Sequence, residues 1–170
     1  MNNVHRAHAD HSGFLIRRLH QLSSSNFMSS LREFQLTPIQ YTILRVLEEC
    51  PGVDQRTVAT LAALDTSTTT DVLRRLAGRK LISRTPGPTD RRTRIIRLTK
   101  AGQKLLETVR PIVDAARREL LAPLSPAKQQ ALIASIIALL DAHDHQYLQE
   151  EATSGAPHQQ PVGRPWKRLR

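Results

Sequence analysis

The stretch that decides the fold runs from Leu64 to Thr99: LDTSTTTDVLRRLAGRKLISRTPGPTDRRTRIIRLT. It opens on a tight turn at Leu64-Asp65. Five short hydroxyl residues follow, Thr66, Ser67, Thr68, Thr69 and Thr70, before a segment whose apolar positions Val72, Leu73 and Leu76 recur at helical spacing. Threonine is a middling helix former, so propensity does not account for the run. Short polar side chains do suit a helix end that must approach base edges and phosphates closely. Asp71, Arg74 and Arg75 stay on the polar side. Next come LISRT (81–85) and RIIRL (94–98), two short β-branched runs joined by a Pro- and Gly-containing loop with Asp90, Arg91 and Arg92 at its tip and Arg94 just beyond. The pattern predicts a helix followed by a β-hairpin with a long basic tip.

Working outward from it, Asp54 caps a short helix, QRTVATLAAL, which a tight turn at Leu64-Asp65 joins to the Thr-rich helix. Two short helices with so brief a connection have the proportions of a helix-turn-helix. With the hairpin attached, they make a winged helix. The arrangement explains the loop tip. An arginine beside a helix seated in a major groove reaches the neighbouring minor groove, whose negative potential suits a weakly hydrated guanidinium. Asp90, two residues before Arg92, pre-orients it by a charge-assisted hydrogen bond.

Flanking helices complete the reading. One runs from Val4 to about Phe34, with Gly13 and Ser23–Ser25 as its weak points. Thr37-Pro38 starts another, which ends before Pro51-Gly52. Thr99 caps a long helix that Pro111 should bend, and Ser125-Pro126 opens the last one. Around Ile133, Ile136, Ile137 and Leu140 that helix is apolar over much of its circumference, as a helix packed on a second subunit is. The expected architecture is mainly α with a small β-hairpin wing. A helical dimerisation region spans 1–36 and 99–150, a winged helix-turn-helix DNA-binding lobe spans 37–98, and a disordered basic tail spans 151–170.

Composition supports this assignment. The 170 residues carry 25 Lys+Arg against 15 Asp+Glu, a formal charge of +10. Residues 51–100 alone hold eleven Lys/Arg and four Asp/Glu, whereas 1–50 and 101–150 are nearly neutral. A charge focused in this way points to a polyanionic partner. Cys50 is the sole cysteine, so no internal disulfide is available, and it reads as a small apolar filler. No membrane-length apolar run and no apolar signal core occur, which places the protein in the cytoplasm. Nucleophile-elbow, P-loop, dinucleotide and zinc-hydrolase motifs are all absent, which argues against an enzyme.

These elements resemble the MarR family of transcription regulators. The resemblance rests on the Thr-rich helix, on Asp90-Arg91-Arg92 in the wing and on Leu98-Thr99-Lys100-Ala101-Gly102 at the start of the next helix. Family members often carry glycine just before the strand's Leu-Ile, where this chain has Lys80, with Gly78 two residues earlier. The resemblance implies a homodimer with interlocked first and last helices, bound to double-stranded DNA at a pseudo-palindromic operator. It implies that Arg92 enters a minor groove with Asp90 as its support. Ser67, Thr68, Thr69 and Arg74, with Arg75, Arg91 and Arg94 alongside, would contact the major groove or phosphates.

An effector is the remaining expectation. His8, His11, Leu15, Arg18 and Leu22 form one stripe of the first helix, a mixture suited to a ring and its carboxylate, with Phe14 beside it. The N-terminal segment is similar to the nicotinate-degradation repressors of the family, which implies a hydroxylated pyridine carboxylate such as 6-hydroxynicotinate; no cofactor is required. Two other readings stay open. His5, His8 and His11 recur every three residues and suit a metal, which would make this a metal-responsive regulator. Alternatively they are surface or intersubunit residues without a ligand. At the level of function, an architectural nucleic-acid binder with no effector is the alternative.

Overall fold

A computed structural model describes residues 11–87 and 93–154, with side chains described as far as 143. The elements are α1 (Ser12–Leu31), a single 3₁₀ turn (Arg32–Phe34), α2 (Pro38–Glu49), β1 (Val53–Asp54), α3 (Gln55–Leu61), α4 (Thr66–Gly78), β2 (Ile82–Pro86), β3 (Arg94–Leu98), α5 (Lys100–Leu121) and α6 (Pro126–Ser154). They divide between two compact units, one within Met1–Pro38 and Thr108–Pro123, the other within Ile39–Glu107 and Leu124–Arg170.

Most boundaries follow the punctuation in the sequence. Pro38 starts α2, at a position where the N–H that proline lacks would have found no acceptor within the helix. Asp54 caps α3 by accepting from Thr57 N at 2.8 Å. The last helix extends through Ser154, four residues into the segment expected to be a disordered tail. The first helix gives way at Arg32 to 3₁₀ geometry and then to Gln35, in the left-handed region at φ 51°. In the same way α3 stops at Leu61, short of the expected Leu64, because Ala63 turns left-handed at φ 56°. α5 remains one helix through Pro111.

The sheet has three strands, not the two expected. β1, only two residues long, pairs antiparallel with β3 through Val53–Ile96 and Asp54–Ile95, giving the order β1-β3-β2. The hairpin register sets Ile82 opposite Leu98, Arg84 opposite Ile96 and Pro86 opposite Arg94. Gly87 N donates to Thr93 O at 2.8 Å, one step further toward the tip. Directly opposed residues share a face, so Ile82, Arg84, Ile96 and Leu98 lie on one side of the hairpin. Ile82 and Ile96 on that side are buried.

The core of this unit is made of Ile43, Leu44 and Leu47 from α2, Val58 from α3, Leu73 and Leu76 from α4, Ile96 from β3 and Leu106 from α5. Each such side chain contributes about 1.5–3 kcal/mol relative to exposure. Two fixed points lock the base of the wing to α5. Thr99 Oγ1 donates to Lys80 O (2.7 Å) while accepting from Gly102 N (3.1 Å), and Thr99 N donates to Leu81 O (3.1 Å). Gly102 lies so close to Leu81 that a Cβ there would stand 2.1 Å from the Leu81 carbonyl oxygen. Lys80, at the family's glycine position, adopts φ 58°, and the helix end closes around it with Leu81 N donating to Leu76 O. Among the described residues the other unit buries Leu31, Leu36, Val109, Val113 and Ala116.

Candidate nucleic-acid interface

α4 presents its hydroxyl run around Asp65. The Asp65 carboxylate accepts from Ser67 Oγ (2.5 Å), Thr68 N (2.8 Å) and Thr68 Oγ1 (2.6 Å). The hydroxyl of Ser67 contributes most, with that of Thr68 next, to holding this carboxyl far below the usual carboxylate range. One acid therefore caps the helix and orients two hydroxyls at once. Ser67 is exposed and Thr68 half-buried, both at the outer surface of the first turn.

Thr69 is different and corrects the sequence reading. It is fully buried, and its hydroxyl donates to Asp65 O at 2.8 Å. Spaced at i, i+4 and i+7 with Leu73 and Leu76, it belongs to the inward stripe and presents nothing to a duplex. Thr70, one position on, is exposed instead. Two turns along the helix, Arg74 Nη2 and Arg75 Nη2 both reach the Asp71 carboxylate, at 2.5 and 3.0 Å. Both guanidinium groups remain largely exposed, at 72% and 66%. The acid thus orders two arginines without covering either.

The wing strands carry further cations on the same unit. Arg84, Arg94 and Arg97 are exposed. Asp54, Gln55, Arg56, Thr93 and Arg94 line an open cleft of about 440 Å³ between the start of α3 and β3. The sequence reading singled out Arg94 and did not consider Gln55, Arg56 or Arg84. Gln55 Nε2 donates to Thr70 Oγ1 (2.7 Å), and Gln55 Oε1 accepts from Arg84 Nη2 (3.1 Å). The wing tip expected to carry Asp90, Arg91 and Arg92 lies outside the described residues.

Of the expected effector residues, His8 also lies outside the described part. His11 is exposed at the N-cap of α1, with its carbonyl accepting from Phe14 N and Leu15 N. Arg18 Nη1 donates to Gln21 Oε1 at 2.9 Å, and the Arg17 guanidinium lies 5.7 Å from the Phe14 ring centroid. His11, Phe14 and Arg18 follow one another at three- and four-residue spacing on the first turns of the helix. Among the described residues, no group of three His, Cys, Asp or Glu is placed to hold a metal ion. No described helix is long and apolar enough to cross a membrane.

Residues 36–93, which hold the helix-turn-helix and most of the wing, match the MarR family profile. Transcriptional regulator HosA of Escherichia coli O157:H7 is 30% identical over 118 residues, 69% of this chain and 86% of that protein. The chain belongs to the MarR family. It is also similar to the transcriptional repressor NicR of Pseudomonas putida, 26% identical over 133 residues, covering 78% of this chain and 84% of NicR. Among solved structures, Bordetella bronchiseptica BpsR, whose DNA binding is regulated by 6-hydroxynicotinic acid, matches with a TM-score of 0.71 at 28% identity. The match covers 75% of this chain and 96% of BpsR. The expected winged helix is therefore the fold of this MarR-family transcriptional regulator.

Proposed function

We propose that this MarR-family protein is a homodimeric repressor that binds a palindromic operator and leaves it when a small aromatic carboxylate of the hydroxynicotinate class binds. One observation carries the DNA-binding half. Within a single compact unit, the hydroxyl-tipped start of α4, the Asp71-ordered pair Arg74 and Arg75, and the cations of β2 and β3 project from elements fixed to one core. Ser67, Thr68, Arg74 and Arg75 are the residues of α4 for base edges and phosphates; Thr69 is not among them. Arg94, together with Asp90, Arg91 and Arg92 at the tip, supplies the wing's part.

The dimer draws support from the last helix. Ile133, Ile136, Ile137, Leu139 and Leu140 are all exposed in the single chain, at 39–58%, and Ile16, Leu19, Leu22 and Met28 on α1 are exposed at 41–64%. Apolar side chains in such number along each helix are the pattern of surfaces covered by a second copy. The effector half draws on the similarity to NicR and to BpsR, and on His8, His11, Phe14 and Arg18. In this reading Arg18 pairs with the carboxylate and Phe14 faces the ring.

Gel shifts on duplexes from the region upstream of this gene, with and without 6-hydroxynicotinate, nicotinate and benzoate, test both halves. Discrete complexes released by the hydroxylated pyridine are expected. Uniform coating of unrelated DNA, indifferent to every acid, would favour an architectural binder and sink the proposal.

A further inference from the structure

A chain of three hydrogen bonds ties the wing strand to α4. Thr70 Oγ1 donates to Thr66 O (2.7 Å), so only its lone pairs face outward, and Gln55 Nε2 donates to them (2.7 Å). This sets the orientation of the amide. Turned over, it would place a carbonyl oxygen against a hydroxyl whose proton is already used, and an NH₂ group against a guanidinium. Gln55 Oε1 is thereby directed at β2, where it accepts from Arg84 Nη2 (3.1 Å).

Arg84 shares its side of the hairpin with Ile82 and Ile96, yet it is exposed while they are buried. A guanidinium has five N–H donors, and Gln55 takes one. The manner of restraint differs from that of Arg74 and Arg75. Those two share one carboxylate, which offsets part of their charge. Arg84 is steadied by a neutral amide, which costs its charge nothing.

We propose that Arg84 is a phosphate-contacting residue of the DNA interface and that Gln55 is its positioning residue. Gln55 braces the arginine of the wing strand against the recognition helix. The rotamer freedom of a long side chain is then lost on folding, not on docking. The proposal rests on the DNA-binding reading of α4 and extends it to a residue 29 positions from its support.

The test uses the full-length protein and a duplex that it selects from a random-sequence library. Affinity is measured across a salt series for wild type, R84A, R84K, Q55A, R84A/Q55A and R74A, with melting temperatures recorded in parallel. R84A should weaken binding on the order of 10-fold or more and lower the salt slope by about one, while R84K keeps the slope. Q55A should weaken binding by about 2- to 10-fold at an unchanged slope. The double variant should bind no more weakly than R84A alone, because Gln55 acts through Arg84. If R84A matches wild type in affinity and slope while R74A is weakened, the proposal fails and the DNA-binding reading stands. If R84A and Q55A losses simply add, the positioning role fails. If no duplex is selected, or R74A and R84A both bind as wild type does, the DNA-binding reading of this unit falls with it.

Discussion

Replacing Gly102 with alanine isolates the joint that fixes the wing to α5. Alanine is the better helix former, so local propensity alone predicts a gain of about 0.5–1 kcal/mol. The surroundings predict the reverse. The added Cβ would stand 2.1 Å from the Leu81 carbonyl oxygen, 3.1 Å from its carbon and 3.2 Å from Leu98 Cδ2. Real Cβ atoms keep at least 3.0 Å, so helix and strand must part by about 0.9 Å, and the nearest obstacle is backbone, which close-packed surroundings hold in place. That movement stretches both bonds made by Thr99, to Leu81 O and to Lys80 O. Overpacking costs about 1–3 kcal/mol and each weakened hydrogen bond about 0.5–1.5. The net loss should be about 2–4 kcal/mol, a fall in melting temperature of roughly 4–16 °C for a chain of this size. The measurement is urea and thermal unfolding at one fixed protein concentration, because association shifts apparent stability. Gly78, with nothing within 4 Å of an added Cβ, is the internal control, and G78A should be neutral or up to about 1 kcal/mol stabilising. G102A unfolding within about 0.5 kcal/mol of wild type, or above G78A, would refute the steric reasoning.

Other outcomes follow from the same structure. Lys80 holds φ 58° at a helix end, so K80G should stabilise by about 1 kcal/mol in the same unfolding assay; a loss would mean that the lysine stem contributes more than the backbone strain costs. The folded Asp65 carboxyl titrates below the ordinary carboxylate value near 4, so its contribution is complete above that value and fades as pH falls below it. Melting temperatures from pH 6 to 2.5 should therefore drop more steeply for wild type than for D65N, and parallel acid limbs would contradict the cap. I136E/L140E should turn a dimer into a monomer by light scattering and abolish operator binding; a wild type that is already monomeric at tens of micromolar would remove the dimer from the proposal. If a dimer contacts about 6–10 phosphates, affinity should fall by about 10³–10⁵ between 50 and 200 mM salt, and a flat response would exclude an electrostatic interface.

Much of the fold was legible because its boundaries are chemical. Thr37-Pro38, Asp54, Asp65 and Thr99 each mark a helix start that the structure places at the same residue or the next. β1 was not legible, since two residues carry no alternation and Val53 becomes a strand only by meeting Ile96. In α4 the run of near-identical hydroxyl residues hides the helical phase, so Thr69 looked like its neighbours. The signal was present, for Leu73 and Leu76 share its stripe. The bridge from Gln55 to Arg84 could not be read from spacing at all, because it depends on hairpin register and on where α3 begins.

The hydroxyl protons of α4 carry one more consequence. Ser67 and Thr68 give theirs to Asp65, and Thr69 and Thr70 give theirs to carbonyls one turn back. The outward-facing oxygens of Ser67, Thr68 and Thr70 are left with lone pairs and the threonines with methyl groups, so these hydroxyls offer no proton outward and the charged donors of the helix are Arg74 and Arg75. A major groove laid against it would be matched by the amino groups of adenine and cytosine and by the thymine methyl, with guanine left to the guanidinium groups. The face this surface shows is thus set largely by one aspartate, whose carboxylate and carbonyl accept three of the four protons.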